Sequence, residues 1–192
     1  MPDDGLPVLS PASAAEWDAW LTGHHADSAG LWLKIPRKGS AVPGVSYADA
    51  LSVALCHGWI DGQKGRLDED HWLQRFTPRK PASKWSRINR EQATALIEAG
   101  RMRPAGLRQV ERAQADGRWS AAYEPQSTAA VPEDLARALD GNDAARAFFA
   151  TLDRANRYAI LYRVAEAKRP QTRARRIATF VTMLSEGKKI HP

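Results

Sequence analysis

Cysteine is almost missing from this chain: Cys56 stands alone among 192 residues. No internal disulfide can form, which fits a reducing compartment. Long apolar runs are missing too, since no stretch approaches the roughly 18 residues that cross a bilayer. The opening MPDDGLPVLSPAS has neither the basic start nor the apolar stretch of a signal peptide. Together these absences predict a cytoplasmic protein without membrane insertion. His24, His25, His57 and His71 form no HExxH or HxH spacing, and CxxC does not occur. Asp68-Glu69-Asp70 lacks the ligand alternation of a calcium loop, so no metal is expected. Gly39, Gly44, Gly58, Gly62 and Gly65 assemble into neither GxGxxG nor a P-loop, and no cofactor is expected.

What is present is ordinary in bulk and uneven in distribution. Hydrophobic residues make up 43% and charged residues 26%, close to the soluble globular average, which excludes wholesale disorder and fibrous repeats. The length suffices to bury a core without staples. The net charge of +6 is concentrated at one end, where Lys168, Arg169, Arg173, Arg175, Arg176, Lys188 and Lys189 face only Glu186. Such a run suits phosphates or an acidic partner, and equally a solvated helix face.

All seven tryptophans precede residue 120, together with Cys56 and four of the five histidines. The turn-forming stretch 123–131 then reads as a linker, giving a chemically dense part over 1–122 and a second part over 132–192. In the first part, Ser13-Ala-Ala-Glu16 is a capping box ahead of Trp17, Trp20 and Leu21 at helical spacing. Leu31 to Ile35 has strand composition. Ser46 caps a helix with the stripe Ala50, Leu51, Ala54 and Leu55, and Gly58 ends it. Residues 59–63 and 71–77 read as an antiparallel hairpin. A helix through Ala99 turns Leu96 and Ile97 inward, and Pro104 opens another that ends at Gly117. The second part reads as helices opened by Pro132, Asn142, Asp153 and Thr172, the third with Tyr158, Leu161, Tyr162 and Ala165 at helical spacing. The expected fold class is α+β: a small antiparallel sheet with packed helices, followed by a helical subdomain with a basic end.

The densest polar and aromatic stretches are ALCHGWIDG, RFTPR and SKWSRIN. On a strand Trp59, Asp61 and Gln63 share one face, and Arg75 on the partner strand meets Asp61 if the register allows. An arginine fork beside a carboxylate and indole rings holds a planar anion or amide. The same two residues equally make a structural ion pair under an aromatic core. Cys56 and His57 are neighbours in sequence and do not face each other on a helix, so they make a poor nucleophile–base dyad. A helix C-terminus disfavours a thiolate, which reads Cys56 as buried and structural, and it favours a protonated imidazole, which leaves His57 as a candidate acid or base.

The strings ALCHGWIDG, RFTPRKPASKWSRIN and GRMRPAGLRQVERAQADGRW, with the later PEDL, AKRP and TRARRI, resemble the bacterial YdeI/OmpD-associated family, the bacteriocin-protection proteins. The resemblance runs over about residues 13–187. It implies an association with antimicrobial-peptide tolerance and with an outer-membrane porin, and no established reaction. The family pattern runs through Trp32, Cys56, Gly58, Trp59, Asp61, Arg75, Arg79, Ser83, Trp85, Asn89, Gly100 and Met102, all present here.

From these readings the leading expectation is a sheet-side pocket lined by Trp32, Lys34, Trp59, Asp61, Arg75, Arg79, Ser83, Trp85 and Asn89. It binds a small polar or anionic ligand and confers protection against antimicrobial stress. Two alternatives stand beside it. One is a cofactor-independent hydrolase or isomerase with Asp61 as base or nucleophile and Arg75 or Arg79 stabilising negative charge. The other is nucleic-acid binding through the basic C-terminal end.

Overall fold

The computed structural model describes residues 4–192, and the chain divides after Ala122 into two compact units. The first unit contains β1 (Val8–Leu9), α1 (Ala14–His24), β2 (Leu31–Pro36), α2 (Tyr47–Cys56), β3 (Trp59–Arg66), β4 (His71–Pro78), α3 (Arg87–Glu98) and α4 (Pro104–Ala115). The second contains α5 (Glu133–Asp140), α6 (Asp143–Thr151), α7 (Arg154–Glu166) and α8 (Pro170–Ser185). The fold class is α+β.

Helix starts follow from side-chain caps. Ser13, Ser46, Ser86, Asn142 and Asp153 each accept the backbone N–H of the residue three positions on, satisfying a donor that has no acceptor inside the helix. Glu16 reaches back to accept the Ala12 N–H at 2.8 Å, one residue ahead of the Ser13 cap. Pro104 and Pro170 sit in the first turns of α4 and α8, where the absent N–H costs nothing. For that reason α8 starts ahead of Thr172, the opening residue suggested by the sequence.

The sheet order is β1-β2-β4-β3. β2–β4 and β4–β3 are antiparallel, and β1 is parallel to β2. The expected antiparallel sheet is therefore mixed; a two-residue edge strand is too short to show periodicity. Leu31, Leu33, Ile35, Trp59 and Phe76 form the sheet's share of a core completed by Trp17 and Leu21 of α1 and the expected stripe of α2. The Trp17 indole N–H donates to the Ala50 carbonyl at 3.1 Å, pinning α1 to α2. On α3 only Leu96 of the expected pair is buried, while Ile97 is 37% exposed.

α4 reaches the C-terminal end of α2 through Gly106, where a Cβ would lie 2.4 Å from the Cys56 carbonyl oxygen and 2.7 Å from that of Leu55. No other residue type permits this approach.

In the second unit Leu135, Leu139, Phe149, Ile160, Leu161, Val164, Ile177, Phe180 and Leu184 make a separate core. Ala129 and Val131 pack against it. α7 buries Asn156, Ile160, Leu161 and Val164, whereas Tyr158 and Tyr162 are half-buried and Ala165 is exposed. Asn156 tips the stripe toward its own side because its amide bonds Asp153 and both backbone groups of His191, tying down the C-terminal end. Among the described residues no helix is long and apolar enough to cross a membrane.

Candidate functional site

Strand register decides the fate of the expected pocket. Residues directly opposite one another in a ladder project to the same face. Asp61 is opposite Phe76, and Arg75 is opposite Trp32. Phe76 belongs to the helix-covered core face, so Asp61 and Arg75 stand on opposite faces of the sheet. Their proposed partnership, as ligand fork, ion pair or catalytic couple, is overturned by one residue of register. Asp61 instead accepts the Tyr47 hydroxyl at 2.8 Å, and burial followed by that carboxylate pushes the Tyr47 pKa upward. Arg75 is 3.7 Å from Asp4, which also accepts the Trp32 indole N–H at 3.0 Å.

The remaining expected residues disperse in the same way. Trp59 is 1% exposed, donates to the His25 carbonyl at 3.0 Å, and meets the rings of Trp17 and Trp20 edge-on. It is core. Lys34, half-buried, shares the Trp32 and Arg75 face. Arg79 is buried with its guanidinium 3.5 Å from the Trp85 ring centroid, and it donates to the Lys84 carbonyl. Trp85 is buried and packs edge-on against Trp119 at 4.8 Å. Ser83 accepts the Lys80 N–H, and its carbonyl accepts from Arg118 at 2.6 Å. Arg79, Ser83 and Trp85 thus brace the segment between β4 and α3. Asn89 lies in the first turn of α3, where its backbone N–H is the one that Ser86 caps. These side chains are thus divided between the two faces of the sheet and the segment that follows β4.

A different cleft does gather chemistry. It has a volume of about 360 Å³ and is lined by Ala14, Ala15 and Asp18 of α1, Val53 and Cys56 of α2, and Gly100, Arg101 and Arg103 between α3 and α4. α1 contributes its first turn, where N–H groups have no intrahelical acceptor. At one edge runs a chain of polar contacts: His57 Nε2 lies 2.8 Å from Asp18 Oδ1, and Asp18 Oδ2 accepts from Arg103 Nη2 at 3.0 Å. Arg101 has no hydrogen-bond or ion-pair partner for its guanidinium among the described residues. Asp18, Arg101 and Arg103 were missed in the sequence, although Arg101 and Arg103 flank Met102 in the GRMRP string. What brings them to Cys56 is the α4–α2 approach at Gly106, together with the Arg103 N–H bonded to the Cys56 carbonyl at 3.2 Å.

Electrostatics here follow burial more than helix position. Burial pushes the Cys56 thiol up, against the opposing pull of Arg101 and Arg103, which leaves a neutral thiol at the cleft wall. Burial likewise lowers the His57 pKa below its ordinary 6.5 despite the Asp18 carboxylate. The helix-terminus argument for a protonated His57 therefore yields to desolvation, and the neutral imidazole donates to Asp18. As pH falls through 6.5 the unfolded chain takes up this proton before the folded one, so stability is lost progressively below that point. Asp18 and Asp134, both lowered from 3.8, add their losses only at more acid pH. The expected melting curve therefore declines in an early step that His57→Gln removes; a pH profile identical in wild type and variant would contradict this.

The basic end of the chain is partly engaged by its own unit. Arg173 forms a bidentate pair with Asp134 and also bonds the Val164 carbonyl. Arg176 donates to the Arg163 carbonyl and Lys188 pairs with Glu186. Three of the seven expected phosphate-binding cations thus hold helices and termini together.

Residues 9–109, just over half of the chain, match the family model described as a domain of unknown function, DUF8412, and the chain belongs to that family. Residues 128–187 match the model for bacteriocin-protection, YdeI or OmpD-associated proteins, which points to a bacteriocin-protection-related role. The YdeI match therefore covers the second unit, while the strings ALCHGWIDG and RFTPRKPASKWSRIN fall within the DUF8412 match. No curated protein and no solved structure matches the chain.

Proposed function

We propose that the first unit binds a small anionic ligand in the cleft between Arg101 and Cys56, and that this binding is its contribution to protection against antimicrobial compounds. The observation that carries the reading is the unpartnered Arg101 guanidinium over a cleft whose other cation, Arg103, is held by Asp18, itself bonded to His57. Arg103 offers further N–H donors beyond the one given to Asp18, and guanidinium forks suit carboxylate and phosphate. The N-terminal end of α1, which lines the cleft through Ala14 and Ala15, favours the same charge. A neutral, buried thiol speaks for a binding wall rather than a nucleophile.

A thermal-shift screen of metabolites and antimicrobial compounds, read in parallel by mass spectrometry, tests this on wild type and Arg101→Ala. Arg101 is exposed, so the substitution itself is expected to change stability by no more than about 0.5 kcal/mol. A ligand at a hundredfold excess over its Kd stabilises the folded state by about 2.7 kcal/mol, and Arg101→Ala is expected to weaken that ligand at least about tenfold. A screen without stabilising anions, or a hit indifferent to Arg101→Ala, would refute the proposal.

A further inference from the structure

A second cleft in the first unit lies away from the one just described and shares none of its residues. It has a volume of about 370 Å³ and is lined by Arg37, Lys64, Gly65, Arg66 and Trp72. The register places Ile35, Trp72 and Arg66 in one row across the sheet, with Lys64 two residues along β3 on the same face as Arg66. Lys64 Nζ lies 4.7 Å from the Trp72 ring centroid, and Arg37 follows the end of β2 with its Nε bonded to the Asp68 carbonyl oxygen.

Three cations therefore surround one half-buried indole. None of the three forms an ion pair with a described residue, although the β3–β4 turn is acidic. The carboxylate of Asp68 is used by the N–H groups of Asp70 and His71, and that of Asp70 by the Ser40 hydroxyl. Glu69 is exposed and does not line the cleft. Cations that line one cleft and are not tied into ion pairs repel one another, and an anion seated among them relieves that repulsion. An aromatic wall beside such a group adds a surface on which a planar ring can stack.

We propose that this cleft is a nucleotide site, with phosphate held by Arg37, Lys64 and Arg66 and the base against Trp72. Lys64 now covers the indole from an exposed position on β3, and its ammonium passes from the ring to the phosphate as the base arrives. The nucleotide is either free or part of a single strand; the chemistry recognised is the same.

Isothermal titration of the full chain with adenosine monophosphate, an oligothymidylate and inorganic phosphate separates these outcomes, with Trp72 indole N–H and Lys64–Arg66 amide shifts as the map. The expected result is nucleotide binding that shifts those signals and weakens at least about tenfold in the double variant Arg37→Gln, Arg66→Gln. Both side chains are exposed, and circular dichroism verifies that the variant stays folded. If the oligothymidylate binds more tightly than the mononucleotide, with a salt slope of about −2 for three phosphate contacts, the source is a single strand. Inorganic phosphate binding as tightly as the nucleotide, shifts confined to other residues, or affinity unchanged in the variant would each overturn the proposal.

Discussion

Gly106→Ala is expected to destabilise the first unit by about 3 kcal/mol, at the upper end of ordinary overpacking. The reason is where the new Cβ would go: 2.4 Å from the Cys56 carbonyl oxygen and 2.7 Å from that of Leu55. Both are backbone atoms at the end of α2, so no rotamer change relieves the clash and α4 must shift bodily. Its displacement carries Arg103, whose N–H bonds the same Cys56 carbonyl at 3.2 Å, and with it the Asp18 and His57 contacts. Urea unfolding reads the stability loss, and ligand titration of the folded variant is expected to show weakened binding at the Arg101 cleft. Wild-type stability in Gly106→Ala would mean that α4 does not approach α2 this closely.

Trp59→Ala is expected to cost about 4 kcal/mol, the range for deleting a buried tryptophan. The ring is 1% exposed among Trp17, Trp20 and the α2 stripe, so its removal leaves a cavity and an unpaired His25 carbonyl. Asp61→Asn, two residues along the same strand, is expected to cost under about 1 kcal/mol, because an amide oxygen still accepts the Tyr47 hydroxyl. Denaturation of the two variants side by side checks the contrast. A stable Trp59→Ala that loses a ligand would restore the sheet-side pocket.

Much of the fold is legible in the sequence because it is specified locally. Ser13, Ser46, Ser86, Asn142 and Asp153 cap their helices with their own side chains, and the apolar spacing of Ala50, Leu51, Ala54 and Leu55 reports a real buried face. Register is not local. Whether Asp61 lies opposite Arg75 or opposite Phe76 depends on a one-residue offset, and a shift in pairing between Asp61 and Lys64 breaks the alternation along β3. Trp59 and Asp61 do share a face, but the shift takes Gln63 off it and puts Lys64 in its place.

The candidate cleft was legible only in pieces. Cys56 and His57 stand out by residue type, and GRMRP by its density of charge, but nothing in their spacing joins positions 56 and 101. Gly106 makes that junction, and its need to be glycine appears only once α4 lies against α2. His57 shows the same limit in electrostatics. Helix position argues for a cation, whereas the desolvation that decides its charge is set by packing from α1.

The most direct test of the account is amide chemical-shift mapping with the strongest anionic hit from the screen. Shifts are expected to concentrate at Ala14, Ala15, Cys56 and residues 100–103 and to be lost in Arg101→Ala. Shifts centred on Trp32, Lys34 and Arg75, with the Cys56 and Arg101 signals unmoved, would contradict it.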